Sequence, residues 1–219
     1  MTAKATAKKP SKENIIASYM NYVLEHEAVP KSVFKFCKEN KIKEEEFYKL
    51  FGSVTGIQKT IWDLFLENTL KLISKNKEYY EFSSRDKMLT FFFTFFEMLK
   101  LNRSYVLFVL NEDKNPLKNL KQLKGVRTGI KNFAKELIEE DNSEKSSKIT
   151  QHNPELFSEG AWVQFLFILK FWMEDSSADF EKTDVAIEKS VKTIFDVFDN
   201  TPLDSIIDFG KFLFKENFS

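Results

Sequence analysis

Apolar positions along the chain recur at steps of three and four, the period of one face of an α-helix, and alternation at a step of two is almost absent. Residues 1–10 are small and basic and read as a mobile tail. Ser11 can then cap a first helix in which Ile15, Ile16, Tyr19, Met20, Val23 and Leu24 share a side. A short helix, SVFKFCKEN, brings Val33, Phe36 and Cys37 together. Next come a tight junction around Asn40 and Lys41, a second short helix KEEEFYKLF and, past GSVTG, a longer one, IQKTIWDLFLENTLKLI.

The same period predicts SSRDKMLTFFFTFFEMLKL and SYVLFVLNE as helices, then one long helix, PLKNLKQLKGVRTGIKNFAKELIEE, opened by Pro116 in a first-turn position. Within it, Gly125 and Gly129 mark a local weakness. The polar stretch DNSEKSSKITQHN reads as a loop. Two further helices, PELFSEGAWVQFLFILKFWME and ADFEKTDVAIEKSVKTIFDVFD, are joined through Asp175, Ser176 and Ser177, all of capping type. A last amphipathic segment restarts after Pro202. The expected organisation is all-α: a tail over 1–10, a first domain over 11–73, a larger helical domain over 74–200 and a terminal helix over 201–219.

Composition sharpens one part of this picture. The 219 residues include 24 phenylalanines against 6 glycines and 5 prolines, a skew toward large flat apolar surface. In the stretch 88–99, Phe91, Phe92, Phe93, Phe95 and Phe96 point to every side, so this helix has to be enclosed by neighbours. Two readings stay open: a tightly filled core, or a cavity with aromatic walls for an apolar guest. The second would be bounded by Met88, Phe92, Phe96, Leu99, Phe108, Phe133, Trp162 and Phe165. Phe167, Phe171 and Trp172 add to the aromatic surplus that favours it.

Charge and chemistry exclude more than they suggest. Thirty-three basic residues balance thirty-three acidic ones, so no overall field drives the chain toward nucleic acid or an anionic membrane. The two histidines, His26 and His152, lie far apart and lack a second ligand at metal-site spacing. No phosphate-cradling glycine loop follows a strand, and no nucleophile elbow is present. Cys37, the single cysteine, sits on an apolar face as a packed residue and fits a reducing compartment. A protein without catalytic residues, metal or cofactor is expected, acting in the cytoplasm and not exported. The richest apolar stretches, 88–99 and 162–173, are too short or too interrupted to cross a bilayer of about 30 Å.

Residues 11–73 resemble the tetracycline-repressor (TetR) family of helix-turn-helix regulators. In that family a helix corresponding to SVFKFCKEN packs against a recognition helix corresponding to KEEEFYKLF, and Phe47, Tyr48 and Phe51 match the family's core signature. The departures fall on the DNA side. Lys41 stands where the family usually has a turn glycine, Glu44, Glu45 and Glu46 open the helix whose first turn normally faces the major groove, and Leu50 and Val54 replace commonly polar or basic positions. Acids suit a helix start, where the exposed amides favour negative charge by about 0.3–1 kcal/mol each. They oppose the cation-driven counterion release that supplies DNA affinity. On a repressor reading, Lys43, Tyr48 and Lys49 would contact DNA.

A second resemblance, over 173–191, is to the family of lipid-binding accessory proteins of ubiquinone biosynthesis, which share the TetR fold without acting on DNA. Asp175, Ser176, Ser177, Asp179, Phe180, Glu181 and Thr183 carry it. It implies a long apolar ligand, a homodimer through the helices around 154–174 and 178–199, and a C-terminal helix that touches a membrane. Ile206, Ile207, Phe209, Phe212, Leu213 and Phe214 would make that contact, with a lipid-pathway protein as a further partner. The expected function is non-catalytic binding of a hydrophobic ligand, with DNA binding weak or lost. The alternatives are a ligand-responsive repressor and an interaction scaffold with a filled core.

Overall fold

The computed structural model describes residues 11–144 and 151–200. Every regular element among them is helical. Contacts divide the chain into two units. One takes the described residues up to Leu70 together with Phe95–Val126; the other takes Lys71–Thr94 and the described residues from Arg127 on. The sequence boundary at 73/74 divides the chain differently, because Phe95–Val126 groups with the N-terminal helices.

The first unit opens with α1 (Lys12–His26), whose N-cap Ser11 accepts from the Asn14 N–H at 3.2 Å, as its capping type predicts. Ser32 caps α2 (Val33–Glu39) in the same way through the Lys35 N–H. α3 (Glu44–Leu50) and α4 (Val54–Ile73) follow. Tyr19, Phe36, Phe47 and Phe51 pack as a chain of rings with centroids 6.0, 6.0 and 5.6 Å apart. This aromatic spine holds the three short helices on one core. α6 (Arg103–Leu110) packs against α1.

The long helix predicted from Pro116 is broken. Pro116 does start a helix behind the Asn115 cap, but α7 (Pro116–Asn119) gives way to a 3-10 turn over Leu120–Leu123 before α8 (Lys124–Glu144) begins. Buried side-chain amides hold the break. Asn119 donates to the Leu110 and Asp113 carbonyls at 2.8 Å, and Gln122 donates to Val109 and Asn119. Gln122 also accepts the Trp62 indole N–H at 2.7 Å. Gly125 is no weakness in α8: a Cβ there would lie 1.8 Å from Asp63 Oδ1, so the missing side chain makes room for that carboxylate.

The second unit contains a 3-10 turn over Lys77–Glu81, the first part of α5 (Ser84–Lys100), most of α8, and two long helices, α9 (Pro154–Glu174) and α10 (Glu181–Asn200). The α5 aromatics are enclosed as their all-round distribution predicts, except that Phe93 is only half-buried. Phe91 stacks on Phe133 of α8 at 4.6 Å. The buried Lys87 ammonium reaches both Glu140 carboxylate oxygens, at 2.8 and 2.9 Å. The polar stretch read as a loop is helical through Glu144, and Asn142 ties back to His152 through two hydrogen bonds of 2.8 Å.

The α9–α10 junction is built on Asp175. One carboxylate oxygen accepts the Ser177 N–H and hydroxyl at 2.8 and 2.6 Å; the other accepts the Thr183 N–H and hydroxyl at 2.9 and 2.7 Å. Burial alone would raise this carboxyl, but the hydrogen bonds from Ser177 and Thr183 outweigh it and hold the group down to about 2. Asp179 and Phe180 sit in the left-handed region, with φ of 55° and 63°. α10 therefore starts at Glu181, three residues later than the pattern predicts.

Candidate functional site

In the helix-turn-helix region, the turn between α2 and α3 closes through hydrogen bonds from the Asn40 N–H to the Phe36 carbonyl (3.0 Å) and the Ile42 N–H to Cys37 (2.9 Å). Lys41 is left-handed with φ 55°, a conformation that glycine adopts without strain. Phe47 points inward from α3, which turns Tyr48 (53% exposed), Lys49 and Lys43 outward. Glu44, Glu45 and Glu46 fill the first turn of α3, Glu45 exposed and Glu44 and Glu46 half-buried. Lys35 and Lys38 on α2 are exposed as well, cations that no motif in the sequence singles out.

The residues expected to bound a ligand cavity fall in both units. In the second, Met88, Phe92 and Phe165 are fully buried, Phe133 is buried against Phe91, and Trp162 stacks on Phe165 at 5.3 Å while half-exposed. In the first, Phe96 and Leu99 are buried and Phe108 is half-buried. Phe167 and Phe171 do not belong with them. They lie exposed on α9, so part of the aromatic surplus serves a surface.

That surface is an open groove of about 1140 Å³ between α9 and α10. The two helices pair antiparallel. Gly160 meets Ile194 and Phe198 at one end, Gln164 meets Ser190 midway, and Trp172 lies near Phe180 at the other. A Cβ on Gly160 would stand 3.2 Å from Ile194 Cδ1, so the glycine lets the helices approach. Val163, Phe167, Phe171, Val185 and Val197 form an apolar stripe along the groove. A stripe facing outward has the same three- and four-residue spacing as one facing a core, so the sequence alone carries no signal separating them.

Reactive side chains are occupied structurally. Burial, helped by the Glu44 charge, pushes the Cys37 thiol up to about 11. His26 Nδ1 lies 3.0 Å from the Tyr22 carbonyl, its Nε2 2.9 Å from Glu39, and its ring stacks on Tyr22. His152 packs edge-on against Phe198. Among the described residues, no group of three or more His, Cys, Asp or Glu could hold a metal ion, and no helix is long and apolar enough to cross a membrane. The expected membrane-contact residues, Ile206, Ile207, Phe209, Phe212, Leu213 and Phe214, lie outside the described residues.

Residues 87–213, more than half of the chain, match a protein family described as tetracyclin repressor-like, C-terminal domain. This chain belongs to that family, in agreement with the all-α fold and the resemblance read in its N-terminal region. Comparison with curated proteins returns no match.

Proposed function

We propose that this chain is a non-catalytic, homodimeric TetR-fold protein that binds a long hydrophobic ligand, a lipid, isoprenoid or fatty acyl chain, and engages DNA weakly and without sequence preference. The observation that carries the reading is the first turn of α3, where Glu44, Glu45 and Glu46 bring three carboxylates to the turn that a recognition helix would bring to phosphate. Phe92, Phe133 and Phe165, buried in the second unit, are aromatic surroundings of the kind an apolar ligand takes, and they support that part of the reading. The protein would act in the cytoplasm and, through residues 203–218, at the inner face of the membrane.

Lipid extracted from the purified full chain and identified by mass spectrometry tests the ligand: a stoichiometric long-chain species is expected, and clean extracts would overturn it. Fluorescence polarisation with the chain's own promoter region tests the DNA half. Sequence-selective binding in the usual specific range of about 10⁻⁸–10⁻¹¹ M would establish the ligand-responsive repressor instead. The left-handed turn at Lys41 and the exposed Tyr48, Lys43 and Lys49 favour that second reading, because the geometry of a DNA-reading head is kept. Liposome flotation of the full chain beside a form ending at Asn200 tests membrane contact, and equal behaviour of the two would remove it.

A further inference from the structure

Two features of the α9–α10 groove call for a cover. Val163, Phe167 and Val185 leave an apolar stripe exposed along it. On its floor, Gln164 is 7% exposed, and its Nε2 donates to Ser190 Oγ at 3.0 Å. The Ser190 hydroxyl gives its own proton to the Ile187 carbonyl at 3.0 Å, so it can only accept from Gln164, which fixes the orientation of the amide. Gln164 Oε1 is left buried with no hydrogen-bond partner among the described residues. An amphipathic occupant that carries a donor answers both the exposed stripe and the unpaired carbonyl.

The sequence supplies such an occupant beside the groove. α10 ends at Asn200, two positions beyond Phe198, which lines the groove and meets Gly160. Pro202, two positions further, lacks the amide N–H that would prolong α10. From there Leu203, Ile206, Ile207, Gly210, Leu213 and Phe214 follow the helical step, with Asp204, Asp208 and Lys215 toward the other side. Residues 203–218 would make a helix of about 24 Å, against about 30 Å for α10. The family match runs past α10 to residue 213, so most of this stripe belongs to the same domain as the groove.

Tethering favours this occupant over a free one. A short link holds its segment at an effective concentration on the order of millimolar, roughly a thousandfold above a second molecule at micromolar concentration. The size of the groove agrees: its volume of about 1140 Å³ exceeds the usual range of about 300–1,000 Å³ for small ligands, and it is open to a helix laid along it.

We propose that residues 203–218 fold back along the α9–α10 groove of their own chain, apolar stripe inward, and cover it when no membrane is present. The fold-back direction sets the heights. Gln164 sits opposite Ser190, ten residues or about 15 Å from the end of α10, and Phe167 lies about 4.5 Å further along the groove. Measured from Leu203, the first height falls within a turn of Lys211, whose ammonium borders the stripe and is a donor for Gln164 Oε1; the second falls within a turn of Phe214. The inference deepens the proposed function and rests on its membrane contact in one respect. The segment cannot lie in the groove and on a membrane at once, so a membrane that takes it up uncovers the faces of α9 and α10 that the homodimer would use.

Disulfide trapping in the full chain tests this, against an unaltered protein whose single cysteine, Cys37, is buried. Phe167 is exposed, so its replacement leaves the core intact. On mild oxidation, Phe167→Cys with Phe214→Cys should close a disulfide within one chain at least tenfold faster than Phe167→Cys with Lys215→Cys, which lies at the same height on the charged side. Vesicles of phosphatidylcholine and phosphatidylglycerol should slow that closure at least tenfold. Hydrogen exchange gives a readout without added cysteines: amides of 203–218 should exchange at least tenfold more slowly in the unaltered chain than in Phe167→Glu. Equal closure of the two pairs, disulfides that only join two chains, or equal exchange in the unaltered chain and Phe167→Glu would overturn the docking. Closure that favours the Phe214→Cys pair and ignores vesicles would uphold the docking and remove the membrane contact from the proposed function.

Discussion

Replacing Asp175 with Asn changes one atom at the α9–α10 junction and should be among the more damaging conservative substitutions in the chain. The carboxylate presents an oxygen to the Ser177 N–H and hydroxyl and another to those of Thr183. An amide keeps one acceptor and turns an NH₂ group toward the other pair, so two donors lose their partner in a buried setting. Hydrogen bonds to a charged group contribute about 1.5–3 kcal/mol each, and partial relaxation of the junction recovers some of the loss, so a cost of about 3 kcal/mol is expected at pH 7. For a chain of this size that is a fall in Tm of roughly 6–12 °C, readable by circular dichroism. The pH dependence has a fixed sign. The folded carboxyl lies near 2, below the unfolded value of about 3.9, so its contribution is fully present above about pH 4 and is lost as pH falls toward 2. The gap between the two proteins should therefore narrow below pH 4. A variant within 0.5 kcal/mol of the unaltered protein at pH 7, or a gap that widens in acid, would refute the account.

Three further outcomes are expected. Lys41→Gly should raise stability by about 0.5–1 kcal/mol in urea melts, because it relieves a left-handed penalty of about 1–2 kcal/mol at a modest entropic cost; no gain would mean that the turn is unstrained. Glu140→Gln should cost about 1–2 kcal/mol, between exposed and buried ion pairs, because it leaves the buried Lys87 ammonium without its counter-charge, and thermal melts check it. Cys37, buried and with its thiol pushed up to about 11, should react with a disulfide reagent at pH 8 at least a hundredfold more slowly in the native protein than in denaturant.

Local chemistry is readable wherever the cause lies within a few residues. Ser11 and Pro116 start helices as their types predict, and the Asp175–Ser177 stretch reads as a junction, although the choice among its capping residues is open from sequence. The break between α7 and α8 is invisible there because its causes are distant: Gln122 answers to Trp62, sixty positions away, and to Val109. The late start of α10 is likewise set by Thr183 reaching back to Asp175, and nothing in ADFEKTDV forbids an earlier turn. The outward face of α9 cannot be told from an inward one, since Phe167 and Phe165 are the same residue type on opposite sides of the helix. Helical spacing tells which residues travel together; it does not tell what meets them.

The buried contact between Trp62 and Gln122 gives the protein its own optical label. Of the three tryptophans, Trp62 alone belongs to the first unit, fully shielded from water with its indole N–H bound, whereas Trp162 and Trp172 belong to the second. Replacing Trp162 and Trp172 with phenylalanine would leave a chain whose intrinsic fluorescence reports the helix-turn-helix unit alone. Its emission would move to longer wavelength when that unit opens, and stay unchanged if melting begins elsewhere.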